Sequence, residues 1–145
     1  MTENRTIFYA DDDEDDLMFF KEAIEEMHYN AFFFDQAGKM LYAMHNPPPK
    51  PYIVFIDLNM PGLDGYDLIK DIRKTPEFND TPIVILSTAD EECIIKRCRE
   101  LGANYYVTKA NALRGLQKSI EHVMGIDWKN FRPTKEEFAY RPHSY

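Results

Sequence analysis

The acidic run after the first apolar segment is the part of the sequence with the clearest chemistry. Residues 6–10 form a short, mainly apolar run, and six carboxylates follow at positions 11–16. Like charges at this spacing repel one another, so some of them need a cationic partner. Asp13 can cap a helix, and the three acidic residues after it would fall in the first helical turn, where negative charge is favourable. Asp11 and Asp12 are left to be explained by other contacts.

Three further apolar runs end in residues that could take part in the same chemistry. Asp57 closes the run "YIVFID", Ser87 closes "PIVILS" with Thr88 directly after it, and Lys109 follows "NYYVT". A carboxylate beside a divalent cation can attack phosphorus and form an acyl phosphate. In this arrangement Asp57 is the candidate nucleophile. The Lys109 ammonium would neutralise charge on the transferring phosphoryl group, and a hydroxyl from Ser87 or Thr88 would hydrogen-bond to it.

Five β-then-α units are predicted to position these residues. The apolar runs are β-branched or aromatic, and several are apolar throughout, as in strands that are buried on both faces. Between them, apolar residues recur at helical spacing within residues 17–27, 37–44, 66–72, 94–101 and 113–123. This alternation predicts an α/β domain with a parallel sheet and helices on both faces. Ligands bind such sheets at the carboxyl ends of the strands.

At that edge of the sheet, three carboxylates are expected to meet. Asp11 and Asp12 end the first strand, Asp57 ends the third, and Asp35 ends the second but leads into its own helix. Oxygen-only ligands of this kind suit Mg²⁺, which usually keeps several waters and takes a phosphate as a further ligand. The sequence therefore predicts a Mg²⁺ site formed by Asp11, Asp12 and Asp57.

Length and charge exclude several classes of protein. The chain has 145 residues and a formal net charge of −8, which predicts one domain and argues against binding to nucleic acids or anionic membranes. No apolar run approaches the ~20 residues of a membrane span, and the N-terminal residues lack the apolar core of a signal peptide. We therefore expect a soluble, cytoplasmic protein.

Four segments resemble the receiver domains of two-component response regulators. They are "YADDDEDDLMFFKEAI", "VFIDLNMPGLDGYDLI", "TPIVILSTADEE" and "GANYYVTK", and the resemblance covers about residues 5–125. It is strongest to small stand-alone receivers, including those paired with bacterial phytochrome kinases. It implies a flavodoxin-like (βα)5 fold with five parallel strands in the order 2-1-3-4-5. It also implies a signalling protein rather than an enzyme, one that catalyses only its own phosphorylation and dephosphorylation.

The resemblance further assigns roles at the metal site. It implies that Asp57 is phosphorylated by the phosphohistidine of a sensor histidine kinase or a histidine phosphotransfer protein. Asp12 and Asp57 would bind Mg²⁺ through their carboxylates, Asn59 through its backbone carbonyl, and Asp11 through water. A downstream protein target would then recognise the phosphorylated form.

Other implied roles concern the switch and two departures from the family pattern. Ser87 matches the switch hydroxyl and Tyr106 the switch aromatic, which would turn inward on phosphorylation and alter the face formed by helix 4, strand 5 and helix 5. Ala110 follows Lys109 where the family usually has proline. Because a cis bond before a non-proline residue costs roughly 2.5–4 kcal/mol, a trans bond is expected. Thr88 stands where Ala or Gly is commoner, and we hypothesise that it slows hydrolysis of the phosphorylated form.

Two alternative functions stay open from sequence. One is a degenerate receiver that binds proteins without phosphate, although none of its acidic residues or its lysine is missing. The other is a phosphatase of the haloacid-dehalogenase type, in which Asp11 would be the nucleophile and Asp57 would have no role.

The last segment is predicted to be an extension of the domain. Residues 1–125 are predicted to form the receiver domain, and residues 126–145 an aromatic-rich C-terminal extension. Thr134 and Glu137 have capping-box spacing, which predicts a short helix. The tail could pack on its own domain, form a homodimer contact or be disordered.

Overall fold

The structure is a computed structural model that describes residues 5–58, 60 and 64–142. Its strands are β1 Arg5–Ala10, β2 Tyr29–Phe34, β3 Ile53–Ile56, β4 Ile83–Ser87, β5 Tyr105–Thr108 and β6 Ala139–Tyr140. Its helices are α1 Glu14–Ile24, α2 Ala37–His45, α3 Gly65–Lys74, α4 Glu92–Leu101 and α5 Leu113–Met124, with a short 3₁₀ turn at Pro76–Phe78. Within the described ranges, no helix has the length and apolar character needed to cross a bilayer.

One parallel sheet organises the molecule. Its strand order is β2-β1-β3-β4-β5-β6, which confirms the predicted order of the first five strands. The sixth strand was not predicted. It pairs in parallel with β5, so that Ala139 lies beside Tyr106.

Apolar side chains on both faces of the sheet form two cores. In β1, Phe8 and Ala10 join the core under α2, α3 and α4, while Ile7 and Tyr9 join the core under α1 and α5. All four side chains are buried, which explains why the strand sequence is apolar throughout instead of alternating. Burial of both faces fixes the register of each strand, since a shift by one residue would exchange the two cores.

The described part of the C-terminal tail, residues 126–142, packs on the rest of the domain, one of the three alternatives predicted. Phe138 is buried in the core beneath α2, α3 and α4, while Trp128 and Phe131 pack against the other core. Thr134 and Glu137 exchange the two capping-box hydrogen bonds, at 3.0 and 3.3 Å, yet the segment is a turn and the predicted helix is wrong. The chain instead leads from this turn into β6, which covers the edge of β5.

The burial of Phe138 gives the tail a measurable part in stability. We expect Phe138→Ala to lower the free energy of unfolding by about 3–5 kcal/mol, because it removes a ring that is 1% exposed. Urea denaturation followed by circular dichroism measures this change. Tyr42→Ala is the control, since Tyr42 is 71% exposed, and it should change stability by about 0.5 kcal/mol or less. Equal effects of the two substitutions would contradict the docked tail.

Candidate functional site

The carboxyl ends of β1, β3 and β5 bring three charged residues to one edge of the sheet. Asp11 directly follows β1, Asp57 follows β3 and Lys109 follows β5. The Asp57 N–H donates to the Ala10 carbonyl at 3.0 Å, and the Lys109 N–H donates to the Ser87 carbonyl at 2.8 Å. These bonds continue the ladder one residue past each strand, so both residues are held in register with the sheet.

The start of α3 approaches the backbone next to Asp57 closely. The Gly65 N–H donates to the Leu58 carbonyl at 3.1 Å. A Cβ on Gly65 would lie 2.6 Å from the Asp57 carbonyl oxygen and 2.6 Å from the Leu58 Cα. Only glycine allows this approach, which fixes the chain just beyond the candidate acceptor.

Asp11, Asp12 and Asp57 form the carboxylate cluster that the sequence predicts. One oxygen from each lies within 4.8 Å of the others. Asp11 and Asp57 are buried, while Asp12 is exposed at the mouth of the cluster. Three carboxylate oxygens at this spacing could bind a hard divalent cation such as Mg²⁺ or Mn²⁺. The fourth predicted ligand, Asn59, lies outside the described residues.

The charge of the cluster is not balanced by the protein alone. Burial raises the pKa of Asp57 to about 7; Lys109 opposes this shift, and the negative charges of Asp11 and Asp12 add to it. Burial and the neighbouring carboxylates both disfavour the charged form of Asp57, and a bound cation would offset both effects. The residues present therefore fit a bound cation.

Lys109 is held by two carboxylates beside Asp57, the candidate acceptor. Its Nζ donates to Asp16 Oδ2 at 2.7 Å and to Asp11 Oδ2 at 2.9 Å, and lies 3.6 Å from Asp57 Oδ1. Burial lowers the pKa of the Lys109 ammonium, but the hydrogen bonds with Asp16 and Asp11 outweigh burial and raise it above its ordinary value. Lys109 is therefore charged and faces Asp57 just beyond hydrogen-bond distance.

Tyr9 is a site residue that the sequence did not reveal. Its buried hydroxyl donates a hydrogen bond to Asp11 Oδ2, and Asp11 Oδ1 accepts from the Asp13 N–H at 3.0 Å. Burial, followed by the charge of Asp11, raises the pKa of Tyr9 far above its ordinary value, so the hydroxyl remains a donor. In sequence Tyr9 reads as one more aromatic residue in an apolar strand, and no local signal marks it.

The acidic residues after Asp12 have two different roles, because Asp13 caps a helix and Asp16 contacts the site. Asp13 is the N-cap of α1, as predicted, and its Oδ1 accepts from the N–H groups of Asp15 and Asp16 at 2.9 and 3.3 Å. The side chain of Asp16 then reaches Lys109. From sequence, Asp16 was assigned only to the first turn of a helix. Its long-range contact with Lys109 was missed.

Ser87, Thr88 and Tyr106 lie around the loop between β4 and α4. The buried Ser87 hydroxyl accepts from the Ala89 N–H at 3.3 Å, and the Tyr106 hydroxyl donates to the Ala89 carbonyl at 2.7 Å. Tyr106 is fully buried, so its ring already points inward. Thr88 is exposed and lines a cleft of about 340 Å³ together with Lys109.

The peptide bond after Lys109 is trans, as predicted. The cis peptide bonds of the described chain precede Pro48 and Pro49. With Ala110 in a trans linkage, Lys109 still reaches the carboxylate cluster, since its Nζ lies 2.9 Å from Asp11 Oδ2.

A protein family and several relatives share this sequence pattern. A family model described as "Response regulator receiver domain" matches residues 7–121. Two-component response regulator ARR9 of Arabidopsis thaliana is 37% identical over 78 residues, which are 54% of this chain and 33% of ARR9. Response regulator Rcp1 of Synechocystis is 32% identical over 91 residues, which are 63% of this chain and 58% of Rcp1. The chain thus spans about a third to about 58% of these two curated relatives.

Solved structures share the fold. The Mn²⁺-bound form of response regulator Rcp1 superposes with a TM-score of 0.74 at 21% identity and covers 88% of this chain and 97% of that one. The phosphorylated cyanobacterial phytochrome response regulator RcpA gives a TM-score of 0.75 at 24% identity, covering 88% and 96%. Chemotaxis response regulator CheY4 of Vibrio cholerae gives 0.75 at 18% identity, covering 83% and 99%.

The carboxylate cluster predicts that divalent cations stabilise the fold. At a Mg²⁺ concentration about ten times its Kd, the free energy of unfolding should rise by ~1.4 kcal/mol, because only the folded chain assembles the site. Urea denaturation with and without Mg²⁺ measures this change.

Two substitutions locate the effect. Asp12→Asn removes the exposed ligand of the cluster and should abolish the stabilisation. Asp15→Asn removes the same charge from the same acidic run, outside the cluster, and should retain it. Loss of the effect in both variants would indicate general charge screening and contradict a defined site.

Proposed function

The chain belongs to the response regulator receiver domain family, and from this premise we propose that it accepts a phosphoryl group on Asp57 in a Mg²⁺-dependent reaction. Receiver domains act in two-component signalling, where they interact with histidine kinases or histidine phosphotransfer proteins. The donor in this proposal is a phosphohistidine on such a partner. One observation carries the proposal: the buried Asp57 carboxylate lies with Asp11 and Asp12 within 4.8 Å and has Lys109 Nζ at 3.6 Å.

Each residue of the site has a separate part in the proposed phosphoryl transfer. An Asp57 carboxylate oxygen attacks phosphorus, the P–N bond of the phosphohistidine breaks, and its electron pair returns to the imidazole. Lys109 faces the acceptor and neutralises charge on the phosphoryl oxygens. Mg²⁺, held by the carboxylates of Asp12 and Asp57 with Asp11 and the Asn59 carbonyl assisting, would supply further positive charge. That a form of Rcp1 is described as Mn²⁺-bound supports a divalent cation here.

The signal in this proposal passes through the loop after β4. Phosphorylation adds about −1.5 to −2 charges beside this loop. The Ser87 hydroxyl would leave the Ala89 N–H and move to the phosphoryl group. Because the Tyr106 hydroxyl is bonded to the Ala89 carbonyl, this change would alter the face formed by α4, β5 and α5, which a downstream protein would recognise.

The proposal extends to the organisation of the chain and its location. Residues 1–125 form the receiver domain, and residues 126–145 are an extension whose described part packs on it. Like the kinase domains that would supply the phosphoryl group, the protein would act in the cytoplasm. The buried position of Asp11, with Tyr9 and Lys109 on one oxygen and the Asp13 N–H on the other, does not suit the nucleophile of the alternative phosphatase.

The direct test is the intact mass after incubation with acetyl phosphate. With Mg²⁺, the wild-type chain should gain one phosphoryl group, and Asp57→Asn should gain none. Asp35→Asn is the matched control, because Asp35 also follows a strand but is exposed and paired with Lys39 at 2.8 Å; it should be labelled like the wild type. A wild-type chain that gains no phosphoryl group under any condition would favour a binding module that works without phosphate.

Thr88 should lengthen the lifetime of the phosphorylated form. Its side chain is exposed and lines the cleft beside Lys109, where it would restrict the approach of water to the phosphoryl group. We expect Thr88→Ala to speed hydrolysis by about threefold, or ~0.7 kcal/mol in the barrier. The decay of the phosphorylated mass after removal of acetyl phosphate measures this rate.

A second variant separates the two groups of the threonine side chain. Thr88→Ser keeps the hydroxyl and removes the methyl group, so it should also speed hydrolysis if the side chain acts by obstruction. A lifetime that Thr88→Ala leaves unchanged would refute the role of Thr88.

A further inference from the structure

We infer that Asp16 is a positioning residue that competes with the phosphoryl group on Asp57 for the Lys109 ammonium. The inference rests on the proposed function and adds to it a residue that sets how firmly the phosphorylated state is held. Asp16 and Lys109 are 93 positions apart in the sequence and meet only in the folded chain.

The distances around Lys109 Nζ show the competition. The bond to Asp16 Oδ2 is the shortest at 2.7 Å, the bond to Asp11 Oδ2 is 2.9 Å, and Asp57 Oδ1 is 3.6 Å away. An ammonium has three N–H donors, and two of them are used by carboxylates that do not accept the phosphoryl group. Lys109 is thus held just short of the acceptor.

The start of α1 leaves the Asp16 carboxylate free for this contact. In a capping box, the side chain three residues after the N-cap turns back to the N-cap N–H. Here that N–H belongs to Asp13 and is already bonded to Asp11 Oδ1 at 3.0 Å. Asp16 therefore has no capping partner at this position, and its side chain extends toward Lys109 instead.

Asp11 and Asp16 differ in how easily they can release the lysine. The Asp11 side chain is 0% exposed and also accepts from Tyr9. The Asp16 side chain is 37% exposed, and water can solvate it when the lysine leaves. Asp16 is therefore the partner that Lys109 exchanges for the phosphoryl group.

The negative charge of Asp16 determines whether its removal strengthens or weakens the contact between Lys109 and the phosphoryl group. A phosphoryl group attracts the ammonium with about −1.5 to −2 charges, and Asp16 opposes this attraction with one negative charge at 2.7 Å from Nζ. Removing that charge frees an N–H donor and strengthens the hold of Lys109 on the phosphoryl group. If Asp16 instead served as a support that brings Lys109 into place, its removal would weaken that hold.

The test is the affinity of the 145-residue chain for beryllofluoride, a phosphoryl analogue, measured by calorimetry in saturating Mg²⁺. We expect Asp16→Asn to bind the analogue about three- to tenfold more tightly than the wild type, and its phosphorylated form to decay more slowly by a similar factor. Asp16→Ser should act in the same direction and gives a second neutral variant. Asp16→Glu restores the charge and should return the affinity toward the wild-type value.

Asp15→Asn is the matched control for net charge. Asp15 lies in the same helical turn, is exposed, and its carboxylate makes no hydrogen bond or ion pair among the residues that the structure describes. It should leave the affinity for the analogue close to that of the wild type. A purely electrostatic effect of the acidic run would instead change both variants alike.

The outcomes separate this inference from the proposed function. If the wild type binds the analogue and Asp16→Asn binds it no more tightly than Asp15→Asn, the role of Asp16 is overturned. Weaker binding by Asp16→Asn overturns it as well. A wild-type chain that neither binds the analogue nor reacts with acetyl phosphate overturns both the proposed function and the inference.

Discussion

The constraint on which the site depends is an excess of carboxylates around one ammonium. Asp11, Asp57 and Asp16 all lie within 3.6 Å of Lys109 Nζ, and Asp12 joins the first two in the carboxylate cluster that could hold a metal ion. Burial at this edge of the sheet raises the energy of each unpaired charge. The cluster is therefore most stable when positive charge beyond that of the lysine is present, and the proposed cation would supply it.

Holding these like charges close together costs free energy, and the burial of the two apolar cores offsets that cost. Each strand that leads to the site is buried on both faces, so the strand ends cannot shift relative to one another without moving two apolar cores. Tyr9 contributes to both tasks, since its ring packs in the core beside α1 and α5 and its hydroxyl is bonded to Asp11. Gly65 adds a contact from the other face, where α3 rests on the backbone of Asp57. Packing thus fixes the position of Asp57, the candidate acceptor, without the help of a ligand.

Sequence reasoning predicted the residues whose role follows from their position at the end of a strand. Asp57, Asp11 and Lys109 follow strongly apolar runs, and parallel strands must bring such residues to one edge. It missed Tyr9 and the partner of Asp16 because both have a sufficient local explanation, as a core aromatic and as an acid in a first helical turn. A pairing across 93 positions depends on where one side chain points, which no local pattern encodes.

The sixth strand was missed for a related reason, and the tail that contains it is hydrogen-bonded to the loop after β4. Two residues carry no detectable strand periodicity, and a capping-box spacing favoured a helix at the turn that precedes them. In the structure, the Tyr106 N–H donates to the Phe138 carbonyl at 3.0 Å, and Arg141 donates to the Asp90 carbonyl at 3.3 Å. The loop after β4 is therefore bonded to the site by Ser87 and to the tail by Arg141.

Tyr106 completes this connection, because its backbone pairs with the tail while its hydroxyl is bonded to Ala89 in the same loop. Both the main chain and the hydroxyl of Tyr106 are hydrogen-bonded. A displacement of the loop toward Asp57 would therefore stretch or replace these bonds. The tail forms the edge of the sheet next to β5, the strand that contains Tyr106. Its hydrogen bonds to Tyr106 and Asp90 join the tail to the loop that the proposed phosphorylation of Asp57 would move.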